Sequence, residues 1–263
     1  MTQAWTLVVH EFRRRWRSFL IWGVVVGALG ALYVALFPSM STFLNEYLKS
    51  APESMRGYLG ALQGPITPAQ WLGMEFTGSI IPIALPFLVM LMGSRAVAGT
   101  EERKQLDLLL SNPLQRRNVI AGAAFSMALS LAGVLALAWL LTYIAAPIAG
   151  VDLGAGTLAR GLVVLWPYSL FFGSLALLLS ALLRRGALST AIAAFVLIVM
   201  YVINGLSQAV HVVDRISFLS LIKDLGNPME AAFPWTAVLA MLGCIVVFIL
   251  GATFAFARRD IYT

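Results

Sequence analysis

The stretch GTEERKQLDLLLSNPLQRRN, Gly99 to Asn118, is the most polar part of an apolar chain. Glu101, Glu102, Arg103 and Lys104 come in a row, then a leucine run, Pro113 and the pair Arg116–Arg117. Long apolar segments flank it on both sides. Read as helix over 101–117, it places Leu106, Leu109, Leu110, Pro113 and Leu114 on one face, at the i, i+3, i+4, i+7, i+8 spacing. Glu101, Glu102, Arg103, Lys104 and Asp107 supply the polar surface. Pro113 cannot donate an amide hydrogen, so the helix should end or kink near Asn112. The expectation is a short charged helix at a sharp bend between two apolar segments.

The flanking segments set the class. Of the 263 residues, 60% are hydrophobic and 11% charged, where a soluble domain carries about 25% charged residues. Apolar runs fall at about 18–37, 76–98, 119–147, 161–183, 187–210 and 235–257. A helix must run for about 20 apolar residues to cross roughly 30 Å of hydrocarbon. The runs lack the alternation of barrel strands, so they read as helices. The predicted fold is an all-α integral membrane domain over 1–263 with six spans.

Six spans put both termini on one side. Of the 18 Lys and Arg residues, only Lys49, Arg56, Arg160, Arg215 and Lys223 fall on the other. The excess of basic residues beside the termini places them in the cytoplasm. The net charge of +6 therefore marks topology and a lipid membrane, not nucleic acid. Trp71, Trp166 and Trp235 are expected at the outer interface, and Trp5, Trp16 and Trp22 at the inner one. The stretch RRRWRSFL is similar to a twin-arginine signal, but Trp16 stands where the first of the paired arginines would be. The apolar run after it is long for a signal peptide, and no cleavage is expected.

Residues 1–17 place Trp5, Val8, Val9, Phe12 and Trp16 near helical spacing, with Arg13, Arg14 and Arg17 mostly elsewhere. An amphipathic helix on the inner leaflet is expected there. The outer loop at 38–75 reads as a short helical hairpin. The segment at 211–234, HVVDRISFLSLIKDLGNPMEAAFP, is apolar enough to dip into the membrane and too broken to span it, so a re-entrant element is expected. Pro82 and Pro86 should kink the second span. Gly23 and Gly27 allow close helix contact, read as intrachain packing.

Chemistry-bearing motifs are few. There is no GxxxxGK[ST] phosphate loop, no HExxH and no GxSxG. Cys244 is single, and His10 and His211 lie far apart, so no metal site is expected. Asn204, Ser207, Gln208 and His211 recur at i, i+3, i+4, i+7. This polar stripe reads either as interhelical hydrogen bonding or as one wall of a substrate path.

The stretch AVAGTEERKQLDLLLSNPLQRRNVIAGA, Ala96 to Ala123, resembles the signature of the ABC-2 type transporter permeases. Glu101, Glu102, Leu106, Leu109, Leu110, Pro113, Arg116 and Gly122 match it, and Lys104 and Gln105 stand where Gly-Thr is usual. LLSALLRRGALSTAIA between spans four and five is similar as well, and the resemblance covers nearly the whole chain. The subgroup resembled contains permeases of antibiotic exporters and of nitrous-oxide-reductase maturation. The resemblance implies a transmembrane subunit of a bacterial ABC exporter in the cytoplasmic membrane. ATP and magnesium would be held by a separate ATP-binding subunit, with no cofactor in this chain. A second permease copy or paralogue would complete a dimer, with spans two and five lining its path. The segment 99–117 would be the coupling helix, with Glu101, Glu102, Leu106, Leu109, Leu110, Pro113, Arg116 and Arg117 at the ATPase contact. The substrate would be amphipathic or hydrophobic. Competing readings are a membrane scaffold or assembly factor, an ion-coupled secondary transporter, which the near absence of acids in the spans disfavours, and an intramembrane enzyme, for which no His/Asp/Glu constellation is present.

Overall fold

Six helices are long and apolar enough to cross a membrane: Trp16–Phe43, Pro68–Ala96, Arg117–Ile148, Ala155–Leu182, Gly186–Leu206 and Trp235–Arg258. The structure is a computed structural model. It describes residues 2–50, 66–102, 116–183, 185–207, 221 and 225–258, and among them there is no strand. Arg17, Arg95, Arg117, Arg185 and Arg258 lie at successive span ends that alternation brings to one end of the bundle, called here the basic end.

The helices overrun the apolar segments that predict them. The first span belongs to one unbroken helix, Thr2–Ser50. It has no break at residue 17, where a separate surface helix was expected to stop, and none at Pro38. Pro38 costs one backbone hydrogen bond, and its own carbonyl oxygen accepts from the hydroxyls of Ser41 and Thr42. The second span starts at Pro68, not near residue 76, because Thr67 caps it. The Thr67 hydroxyl accepts from the Gln70 amide, and the Gln70 side chain accepts from the Thr67 amide, a reciprocal capping box. The fourth span starts at Ala155. Arg160 lies inside it, with its guanidinium donating to the Met229 carbonyl. The expected outer hairpin and re-entrant element fall largely on 51–65 and 208–224, outside the described residues except for Leu221.

The earlier start of span four also relocates Trp166. It stands eleven residues into that helix, roughly 16 Å along the axis. Its indole N–H donates to the Ala128 carbonyl of span three at 2.9 Å, which satisfies the polar tip of a half-buried ring.

Span four is the hub. In its most apolar window 72% of the residues are buried, against 28% in span five and 22% in span six. It packs along spans two and six, while span one lies along span three. Gly23 and Gly27 are what bring the latter pair close. A Cβ on them would stand 2.8 Å from Leu137 Cδ2 and 2.7 Å from Leu141 Cδ1. An aromatic chain ties span four to span six. Tyr168 meets Phe172 edge-on at 5.3 Å between centroids, Phe172 meets Phe171 at 5.1 Å, and Phe171 meets Phe248 at 5.3 Å.

Spans two and four touch backbone to backbone. A Cβ on Gly93 would collide with the Gly173 carbonyl oxygen and stand 3.0 Å from the Leu177 nitrogen. Backbone cannot step aside as a side-chain tip can, so Gly93→Leu should part the two helices at a cost of about 3 kcal/mol or more. Gly133 has nothing within 4 Å, so Gly133→Leu should be tolerated. Thermal unfolding and monodispersity of the two variants in detergent measure the difference.

Candidate functional site

Span two ends at Ala96, and the chain must leave the helix where no solvent can take over its hydrogen bonds. Val97 breaks the helical geometry at φ −117° and ψ −68°, and a short helix, Ala98–Glu102, follows. Val97 and Ala98 are fully buried. Their amides both point at the Ser180 hydroxyl of span four, at 3.3 and 2.9 Å, and that hydroxyl donates to the Ser94 carbonyl at 2.9 Å. A serine hydroxyl has one proton and two lone pairs, and here all are in use. By contrast the buried hydroxyls of Ser126, Ser130, Thr142, Tyr168 and Ser169 have no partner among the described residues. Ser180 is the serine whose hydroxyl closes a break in the backbone ladder.

The short helix then delivers Glu102 to the start of span five. Glu102 Oε1 accepts from the Gly186 amide at 3.0 Å. Gly186 is the first residue of the helix Gly186–Ser207, and the first amides of a helix have no intrahelical acceptor. A carboxylate there also faces the positive end of the helix dipole. Arg185 and Gly186 carbonyls accept from the hydroxyls of Ser189 and Thr190. Gly186 is buried, and a Cβ on it would lie 3.3 Å from the Ser94 oxygen and 3.4 Å from the Gly99 nitrogen. One junction thus joins the exit of span two, the end of span four and the start of span five.

The sequence-predicted residues fall around this junction unevenly. Glu102 is in it. Glu101 is described by its backbone alone, in the same short helix, and Arg116 by its backbone at the start of the span-three helix. Arg117 is exposed beside it. Leu106, Leu109, Leu110 and Pro113 lie outside the described residues. Of the polar stripe, Asn204 is half-buried in span five and Ser207 ends that helix, while Gln208 and His211 lie outside the described residues. Sequence reasoning missed Ser94, Ser180 and Gly186. The signal was available only in LLSALLRRG, where a serine and a glycine bracket the end of an apolar run.

The opposite end of the bundle carries a second junction. The Asn227 side chain sits against Gly73, leaving no room for a Cβ there, and Met229 covers Gly161 in the same way. Asn227 Oδ1 accepts from the Met229 amide at 3.2 Å, and Gly226 supplies the turn with φ +55°. The indole of Trp71 donates to the Tyr33 carbonyl at 2.9 Å. Among the described residues no three His, Cys, Asp or Glu side chains come together as metal ligands.

A profile of the ABC-2 family transporter proteins matches residues 5–261. The chain belongs to that family. No curated protein matches the sequence. As an ABC-2 permease, it is the membrane-embedded transport component of an ABC transporter, a multi-pass protein that works with an ATP-binding subunit, and the family is not itself the catalytic one.

Removal of the Ser180 hydroxyl takes one hydrogen-bond partner from the buried amides of Val97 and Ala98 and from the Ser94 carbonyl of the permease. Each unsatisfied group costs about 1–3 kcal/mol, so Ser180→Ala should lower the unfolding temperature by several degrees. Ser41→Ala, at an exposed position whose hydroxyl serves one helix carbonyl, should stay within about 0.5 kcal/mol of the unmodified protein. Thermal scans of both variants in one detergent test this.

Proposed function

We propose that this permease exports an amphipathic or hydrophobic molecule across a bacterial cytoplasmic membrane. ATP and magnesium are held and ATP is hydrolysed on a separate ATP-binding subunit, and a second permease, identical or paralogous, completes the transmembrane dimer. Both termini and the basic end face the cytoplasm. The excess of Lys and Arg at that end supports the orientation. The segment 99–117 is the coupling element. Leu106, Leu109, Leu110 and Pro113 form its apolar contact with the ATPase, framed by Glu101, Arg116 and Arg117.

The observation that carries this reading is the junction at Ser180 and Gly186. A segment that merely looped through water would need no anchorage at its root. This one leaves span two through a fully satisfied hydroxyl and fixes span five by a carboxylate. A push on the segment would therefore reach three spans at once. Spans one, five and six expose apolar side chains such as Ile21, Phe195 and Val247, which suits lipid and a second permease. Asn204 lies on span five, where a polar wall for the substrate path would be, with Ser207, Gln208 and His211 continuing the stripe. The apolar surroundings favour an amphipathic cargo.

Two measurements test the proposal. In a Cys244→Ala background, single cysteines at Lys104 and Ser50 should react with a membrane-impermeant maleimide from opposite sides of the membrane; labelling from one side would overturn the topology. Leu109→Asp combined with Leu110→Asp puts two carboxylates into an apolar contact without partners. The doubly substituted chain should insert normally and lose the co-purifying ATP-binding subunit. Retention of that subunit in full would remove 99–117 from the interface.

A further inference from the structure

We infer that Glu102 is a positioning residue that couples the segment after span two to span five within its own chain, and is not a docking residue for the ATPase. The inference rests on the permease reading above and deepens it. Glu102, an exposed residue of the coupling segment, places one carboxylate oxygen on the Gly186 amide at 3.0 Å. The bond crosses 84 residues of sequence and joins two helices at their ends.

Three features make this a mechanical link. The acceptor is a charged group at a helix N-terminus, where hydrogen bond and dipole act in the same direction. The donor is a backbone amide of the first helical residue, so a pull on Glu102 acts on the helix axis and not on a flexible side chain. Gly186 is a glycine in a close-packed position, 3.3 Å at its would-be Cβ from the Ser94 oxygen, so the start of span five lies directly against the exit of span two. The short helix Ala98–Glu102 is itself held at its first residue by Ser180. Besides its covalent continuity with spans two and three, a displacement of 103–115 has two hydrogen-bonded routes into the membrane: through Ser180 to span four and through Glu102 to span five. The second route exists only while the carboxylate keeps its acceptor bond.

The substitutions separate this role from others. Glu102→Ala removes the acceptor, and Glu102→Gln keeps an oxygen acceptor without the charge. Gly186→Pro removes the donor and leaves Glu102 untouched, and proline is favoured at the first position of a helix. Gly186→Ala keeps the donor and adds the same Cβ, which reports on crowding alone.

Hydrogen exchange of the 183–190 peptide is the readout. In the purified permease, exchange should be about tenfold faster in Glu102→Ala, as expected for loss of a bond to a charged group, and intermediate in Glu102→Gln, which keeps the acceptor and loses the charge. In the complex with its co-purified ATP-binding subunit, magnesium and a non-hydrolysable ATP analogue should change exchange at 183–190. Glu102→Ala and Gly186→Pro should both keep the subunit and both lose that response, while Glu102→Gln and Gly186→Ala retain it. Loss of the subunit in Glu102→Ala would show that Glu102 docks the partner and would overturn the inference. So would unchanged exchange in Glu102→Ala, or a nucleotide response that survives in both variants. If no ATP-binding subunit accompanies the unmodified chain, the proposed coupling to a separate ATPase fails, and the exchange rates of the permease alone still decide whether the link exists.

Discussion

A helix that ends inside a membrane protein leaves backbone donors and acceptors that water cannot reach, and each must find a partner or cost several kcal/mol. The exit of span two meets this constraint through one atom. Ser180 Oγ takes the amides of Val97 and Ala98 and returns a proton to the Ser94 carbonyl. With those three groups satisfied, the chain can turn from span two into the short helix Ala98–Glu102 without a solvent-filled gap. The position of Glu102, and so of the start of span five, follows from that turn.

The same hydroxyl explains why span four is the hub. Ser180 lies two helical turns from Gly173, where span four accepts the backbone of span two at Gly93. Gly93 and Gly173 set the distance between the helices, and Ser180 sets their register. In lipid there is little hydrophobic drive to bring helices together, so packing of small residues and interhelical hydrogen bonds decide which helices pair. Span four supplies both to span two. Its aromatic face, from Tyr168 to Phe171, supplies bulk contact to span six at Phe248.

The six spans and their alternation were legible in the sequence because the cost of exposing polar backbone to hydrocarbon leaves a crude, length-scaled signal. The ends of the spans were not. Hydropathy stops a span at Pro38, Glu75 or Arg160, yet the helix passes all three. At two of these limits a contact accounts for the extension: the Thr67–Gln70 capping box starts the helix before Glu75, and Arg160 reaches the Met229 carbonyl; at Pro38 the helix continues at the cost of one ladder bond. The close approach at Gly23 and Gly27 could be read from spacing, since a small residue every four positions speaks for itself. Ser180 and Gly186 could not. Ser180 bonds backbone atoms and Gly186 lends its own backbone amide to a carboxylate, both more than 80 residues away in sequence, and a backbone group has no residue code. Glu102 could be singled out as charged, but nothing in its neighbours said that its carboxylate bonds the Gly186 amide.

The two ends of span two differ in what opposes their bending. At the basic end the helix is clamped by Gly93 against Gly173 and by Ser180. Near the other end, residues Phe76–Ile80 form a π-helical turn, wider than an α turn and weaker in hydrogen bonding. The irregularity sits just before Pro82, whose ring excludes the normal bond to the carbonyl four residues earlier, that of Gly78. The widened turn brings the Gly73 carbonyl within 2.7 Å of where a Gly78 Cβ would stand, so only glycine fits. Thr77 partly repairs the ladder by donating its hydroxyl to the same Gly73 carbonyl at 3.2 Å. Pro82 explains why the helix is irregular at 76–80, and Gly78 explains why it can remain so. Between the clamped end and this turn, Pro86 also lacks a ladder donor, so span two has its irregular points at Pro86 and at 76–80 while the basic end is held.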